Sequence, residues 1–151
     1  MRLTAMTDYA LRLLMYAAQR PDRLCTISEI ARAHGISEAH LMKVTHQLGI
    51  QGWIETVRGK GGGLRLARGP EDINLGALVR GIEANFELVD CFGTDSTCAL
   101  TGRCGLAGLL DGALERFLAH LDGFTLADAL RDTRPIGISA IPVRVHRRAS
   151  S

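Results

Sequence analysis

Through the first fifty residues apolar side chains recur every three or four positions, in runs separated by capping and breaking residues. Residues 4–19 place Leu11, Leu14 and Ala18 at i, i+3 and i+7, and Pro21 stops the run, which predicts a helix. Ser28 is placed to cap a short second helix over 29–34, ended by Gly35. Ser37 caps a third over 38–48, with Leu41, Val44 and Leu48 on one face. After breaks at Gly49 and Gly52 the pattern changes. Residues 53–57 and 64–67 read as two strands, joined by the glycine-rich tip Arg58-Gly-Lys-Gly-Gly-Gly. Helix, helix, turn, helix, hairpin is the order of a winged helix-turn-helix.

Beyond Pro70 a short helix is expected over 74–83, then a polar loop over 90–104. Leu106, Leu110, Ala113, Leu114, Phe117, Leu118 and Leu121 follow as one broad apolar stripe on a helix of about four turns. A stripe of this kind, outside a compact DNA-binding unit, suits pairing with its own copy. Leu126–Leu130 adds a further turn. The expected fold is mainly α with a small β-hairpin. Residues 1–70 form the winged helix-turn-helix, 71–130 the cysteine loop and dimerisation helix, and 131–151 a basic, mobile tail.

Charge sharpens this division. Residues 1–75 hold ten Lys/Arg against seven Asp/Glu, 76–130 hold three against eight, and 131–151 hold five against one. A polyanion such as nucleic acid would therefore meet the first part of the chain. On the third helix Ala39, His40, Lys43, His46 and Gln47 are left facing outward. Together with Ser37 at its start they suit major-groove edges and phosphate. In the wing, Gly61 and Gly62 let the backbone approach a groove, while Arg58, Lys60 and Arg65 supply charge to phosphates. The run Gly59-Lys60-Gly61 is not a nucleotide-binding loop, because no Ser or Thr follows the lysine. Trp53 is expected to anchor the hairpin. No nucleophile elbow, zinc-protease motif or paired carboxylates occur, so no catalytic function is expected.

The distinctive chemistry lies in Cys91, Cys98 and Cys104, three of the four cysteines. No membrane span or signal segment is apparent, which points to the cytoplasm, where clustered thiols mean metal or redox chemistry more often than disulfides. Three thiolates on one loop select zinc, copper(I) or an iron–sulfur cluster. Structural zinc prefers Cys-x(2–4)-Cys spacings, whereas here they are six and five. Wider spacings suit a cluster, which normally takes four ligands. Cys25, His34 and His120 are candidates for the fourth, each with an ordinary structural role to weigh against it. Asp8, in the first turn of the first helix, reads by itself as a carboxylate favoured by the helix dipole. A zinc-stabilised or thiol-switched DNA-binding protein, and an iron–sulfur electron carrier or enzyme, remain open at this point.

The opening Met-Arg-Leu-Thr with Thr-Asp-Tyr-Ala-Leu-Arg, the wing Val-Arg-Gly-Lys-Gly-Gly-Gly-Leu-Arg-Leu and the Cys-x6-Cys-x5-Cys loop resemble the Rrf2 family of bacterial transcription regulators, from residue 1 to about 130. Leu88-Val-Asp-Cys-Phe and Leu121-Asp-Gly-Phe-Thr-Leu-Ala-Asp resemble its nitric-oxide-sensitive repressors in particular. The resemblance implies a homodimer on double-stranded DNA, with one iron–sulfur cluster per subunit, typically 4Fe–4S. It also implies that Cys91, Cys98 and Cys104 hold the cluster and that a first-helix carboxylate of the partner, here Asp8, is the fourth ligand. Another iron–sulfur branch of the family carries a histidine three residues after its last cysteine; this chain has Ala107. Iron-responsive relatives share the three-cysteine loop, so iron or cluster supply is the alternative signal to nitric oxide.

Overall fold

The computed structural model describes residues 2–135. The basic tail beyond Pro135 lies outside the described residues. Helix α1 (Ala5–Ala18) starts at Thr4, whose side chain accepts from the Thr7 N–H. Its buried face is Thr7, Ala10, Leu13, Leu14, Tyr16 and Ala17. The predicted stripe is therefore rotated: Leu14 is central, while Leu11 and Ala18 pack only at the rim of the core. The run Leu11-Arg-Leu-Leu-Met-Tyr-Ala-Ala is apolar on more than one side, so its period alone does not choose the face.

Helix α2 (Ile27–His34) is capped by Thr26, not by Ser28. Thr26 stands three residues before Glu29, the spacing of a reciprocal cap. Its oxygen accepts from the Glu29 N–H at 3.2 Å and its hydroxyl donates to the Glu29 carboxylate at 3.2 Å. From Ser28 the corresponding position is Ala31, which has nothing to return. Gly35 ends α2 in the left-handed region (φ 64°), where glycine carries no Cβ penalty. Ser37 then caps α3 (Glu38–Ile50), as expected. The helix runs two residues past Leu48, because Gly49 is tolerated in the last turn; the chain reverses at Gly52 (φ 74°). Leu41, Val44 and Leu48 are buried, with Thr45 beside them.

Strands β1 (Ile54–Val57) and β2 (Gly63–Leu66) pair antiparallel, with Ile54 opposite Leu66 and Glu55 opposite Arg65. Cys25 extends this hairpin: its N–H bonds to the Leu64 carbonyl at 2.9 Å, and the Leu64 N–H returns to Cys25 at 2.8 Å. The wing is thereby fixed to the base of α2. Helix α1 lies at the centre, touching α2, α3, β2, α4 (Leu75–Ile82) and α6 (Leu126–Leu130). Ile73, Leu78, Ile82 and Leu126 join the same core. Each fully buried Leu or Ile contributes about 1.5–3 kcal/mol.

Helix α5 (Gly105–Asp122) has no fully buried residue. One side is half-buried, through Leu114, Phe117, Leu118 and Leu121, and α5 packs on α4. Leu106 (60% exposed) and Leu109 (74%) face outward. The end of α5 is tied to the start of α4. The Asn74 amide donates to the Asp122 carbonyl at 2.7 Å, and the Arg80 guanidinium donates through both nitrogens to the Asp122 carboxylate. A Cβ on Gly76 would collide with Asp122, so the two helices meet there as closely as the backbone allows. None of the described helices is long and apolar enough to cross a membrane.

These ties carry a pH dependence. The Arg80 guanidinium holds the Asp122 carboxyl below its usual range, and the Thr125 backbone N–H and hydroxyl do the same for Asp128 in the α6 capping box. A depressed folded pKa stabilises the fold above the ordinary carboxylate value of about 3.9, and that contribution disappears as pH falls through the folded value. An Asp122→Asn chain is expected to lose less stability than the parent between about pH 4 and 2. Urea midpoints across that range check it; parallel curves for the two chains would contradict it.

Candidate functional site

Two groups of residues carry chemistry: the cysteine loop and the surface made by α3 and the wing. The cysteine loop leaves α4 at Glu83 and reaches Cys91 in a single 3-10 turn, Asp90–Phe92. It closes at Cys104, the residue immediately before α5. All three thiols are free; Cys98 is exposed, Cys91 and Cys104 half-buried. Turns internal to the loop shape it: the Thr101 hydroxyl donates to the Cys98 carbonyl at 2.8 Å, the Cys98 N–H to Ser96 Oγ at 3.3 Å, and Gly102 adopts φ 80°. Cys104 sits at the N-terminus of an 18-residue helix with no side-chain cap.

Among the described residues no three His, Cys, Asp or Glu side chains surround one metal position within the chain. The sequence places three thiols on one loop, but a loop of Gly, Thr, Asp and Ser has no core of its own to draw them together. The donor set fits a soft-metal or iron–sulfur group: three reduced thiols, accessible, one of them at a helix N-terminus. Asp8 is half-buried on the first turn of α1, where it pairs with Arg12 at 2.9 Å. Cys25 is wholly buried, burial pushes its thiol pKa up, and its place in the wing bridge makes it a core residue. His34 is half-buried with its ring edge-on to Tyr16; burial pushes its pKa down. His120 is exposed and lies against Phe124.

On the other surface Ser37, Ala39, His40, Lys43 and His46 are exposed along α3, whereas Gln47 is half-buried. Ser37 Oγ accepts from the His40 N–H and lies 3.0 Å from His40 Nδ1. Two outward residues escape the periodic reading: Met42 (60% exposed) and Ile50 (68%), which with His46 form an i, i+4, i+8 row. That spacing from Met42 was the available signal. They border a groove continued by Ile54, Thr56 and Arg58 of the wing. Arg58 and Lys60 are exposed and pair with no carboxylate among the described residues. Arg65 is placed differently: its guanidinium meets Glu55 across the hairpin at 3.1 Å, so its charge is partly answered within the sheet. Trp53 anchors the hairpin, its N–H on Gln51 at 3.0 Å and Arg68 over its ring.

The wing tip needs its glycines. Gly59 and Gly61 have φ of 95° and 75°. A Cβ on Gly62 would lie 2.2 Å from the Val57 carbonyl oxygen and 2.8 Å from that of Gly59, both rigid backbone. Gly62→Ala is expected to open the tip, costing about 1–3 kcal/mol as overpacking does, and to weaken DNA binding by about tenfold or more. Thermal unfolding and a DNA-binding titration check it; unchanged affinity would contradict it.

Residues 3–132 match Rrf2, described as an iron-dependent transcriptional regulator. The chain belongs to the Rrf2 family. It is 46% identical to the HTH-type transcriptional regulator NsrR of Bacillus subtilis (strain 168) over 138 residues, which is 90% of this chain and 94% of that one. It is 48% identical to NsrR of Halalkalibacterium halodurans over 132 residues, 86% of this chain and 90% of that one. Among solved structures, T. potens IscR superposes with a TM-score of 0.71 at 24% identity, covering 89% of each chain. The oxidized form of Staphylococcus aureus CymR does so at 0.70 and 21%, covering 89% of this chain and 99% of that one. These two show the fold. Membership makes the chain a DNA-binding transcriptional regulator, and the relatives are regulators rather than enzymes.

Proposed function

We propose that this regulator is a nitric-oxide-sensing repressor that binds its operator as a homodimer, with affinity controlled by an iron–sulfur cluster. Cys91, Cys98 and Cys104 hold the cluster, 4Fe–4S and one per subunit, and the partner subunit's Asp8 is the fourth ligand. The observation that carries this reading is the loop of three reduced, accessible thiols at the head of α5, in a chain 46–48% identical to regulators named NsrR. Residues 1–70 then present DNA contacts, and 71–130 carry the cluster loop and the dimer helix.

When bound, the cluster supplies iron to which nitric oxide can ligate. The chain's own residues do the rest. A carboxylate is a harder ligand than thiolate toward iron, so the Asp8 corner is the exchangeable one. Among the described residues Asp8 belongs to no ligand group within one chain, and Leu106 and Leu109 leave an apolar face of α5 for a second copy; both support a ligand from across the dimer. Such a ligand links α1 of one subunit to the loop of the other. Its release changes the spacing of the two α3 helices, which must match half-sites about one DNA turn apart. Ser37, Ala39, His40 and Lys43 would meet base edges and phosphate, and Arg58, Lys60, Gly61, Gly62 and Arg65 the adjoining backbone.

A coupling of about 1–3 kcal/mol corresponds to a change in operator affinity of about 5–150-fold. Adding nitric oxide anaerobically to the loaded dimer on its operator is expected to weaken binding within that range. Binding that ignores nitric oxide but follows iron supply would assign the same fold to iron sensing instead.

A further inference from the structure

Glu83 ends α4 and turns the chain out of the helical path (ψ 123°), its own N–H still bonded to the Val79 carbonyl. Its carboxylate faces the start of α1, 76 to 79 residues away in sequence. Oε2 accepts from the Thr7 hydroxyl at 2.5 Å, the Thr4 N–H at 3.1 Å and the Thr4 hydroxyl at 3.2 Å, and Oε1 lies 3.3 Å from the same N–H. No Lys, Arg or His pairs with it among the described residues. Thr4 already caps α1 through its own side chain, so a second, distant cap is not needed to start the helix. Thr7 is fully buried, and its hydroxyl finds its acceptor in Glu83 rather than in water.

What this contact joins is specific. Asp8 follows Thr7, and its N–H bonds to the Thr4 carbonyl at 3.0 Å, so Asp8 rides on the turn that Glu83 grips. In the other direction Glu83 begins the stem that runs to Cys91. Phe86 and Leu88 of that stem line a cleft of about 430 Å³ with Leu3, Leu114 and Phe117. Glu83 is the hydrogen-bonded tie between stem and helix across it.

We propose that Glu83 is a positioning residue: it couples the stem of the cysteine loop to the first turn of α1 and so sets where Asp8 is presented. This rests on the reading of Asp8 as a cluster ligand. A change in the loop then reaches α1 through these hydrogen bonds, and α3 through the packing of α1 against it within one subunit.

The test uses the full chain with Glu83→Gln and Thr7→Val, singly and together, beside Asp8→Ala. In the metal-free protein, Glu83→Gln is expected to speed amide hydrogen exchange at Thr7 and Asp8 about tenfold or more, leaving 41–48 of α3 unchanged. In the loaded dimer it is expected to alter the circular dichroism of the iron–sulfur bands and the rate of reaction with nitric oxide in the same sense as Asp8→Ala. Operator affinity should fall about 5–150-fold, and Thr7→Val should add little once Glu83 is changed. A response to Asp8→Ala with none to Glu83→Gln overturns the positioning role alone. No response to Asp8→Ala overturns the ligand reading and the positioning role with it.

Discussion

A Cys98→Ser chain purified without oxygen is expected to lose its iron and acid-labile sulfide and to bind operator about 5–150-fold more weakly than the loaded parent. Cys98 is the most exposed of the three thiols and lies mid-loop, where the backbone is held only by Ser96 and Thr101. A serine oxygen keeps that local geometry but is a poor soft ligand. Two thiolates and a carboxylate would then remain for a group that normally takes four ligands. The folded core should persist, because none of its buried side chains comes from this loop. The expected signature is therefore loss of colour and affinity with near-normal far-UV circular dichroism. Retained iron and sulfide at the parental level would contradict the assignment.

Leu41→Ala is expected to cost about 2–5 kcal/mol in the metal-free chain. Leu41 is fully buried on α3, the helix that packs on both α1 and α2. Against a typical total of about 5–15 kcal/mol this is a large fraction. The neighbouring Met42→Ala removes a side chain of similar size from an exposed site and should change stability by no more than about 0.5 kcal/mol. Urea unfolding of both, at one protein concentration, checks the contrast. Equal losses would mean that α3 is seated on a different face.

Local chemistry made most of the fold readable. The turn at Gly35, the cap at Ser37 and the Leu41, Val44, Leu48 face each depend on residues within a few positions of one another, and the glycine tip identified the wing. Where local signals competed, the choice was harder. Thr26 and Ser28 are both capping residues, and only the reciprocal partner Glu29 separates them. The α1 stretch is apolar around much of its surface, so the buried face is set by what packs against it. Long-range pairings were not readable: Glu55 with Arg65 requires the hairpin register, and Glu83 with Thr4 and Thr7 requires the whole tertiary arrangement.

The same distinction applies to the cysteine site. Spacing brought Cys91, Cys98 and Cys104 onto one loop and argued against zinc knuckles, but no local pattern says what completes the set. Asp8 entered through resemblance, and its geometry within one chain shows only a half-buried carboxylate paired with Arg12. A ligand contributed by a second copy leaves little trace in the periodicity of the first.

Iron and acid-labile sulfide per chain, with the Mössbauer spectrum of the anaerobically purified dimer, test the central claim most directly. The account predicts about four of each per chain, as a 4Fe–4S cluster requires, and a spectrum in which one iron site differs from the other three. Colourless protein carrying stoichiometric zinc on the same three cysteines would contradict it.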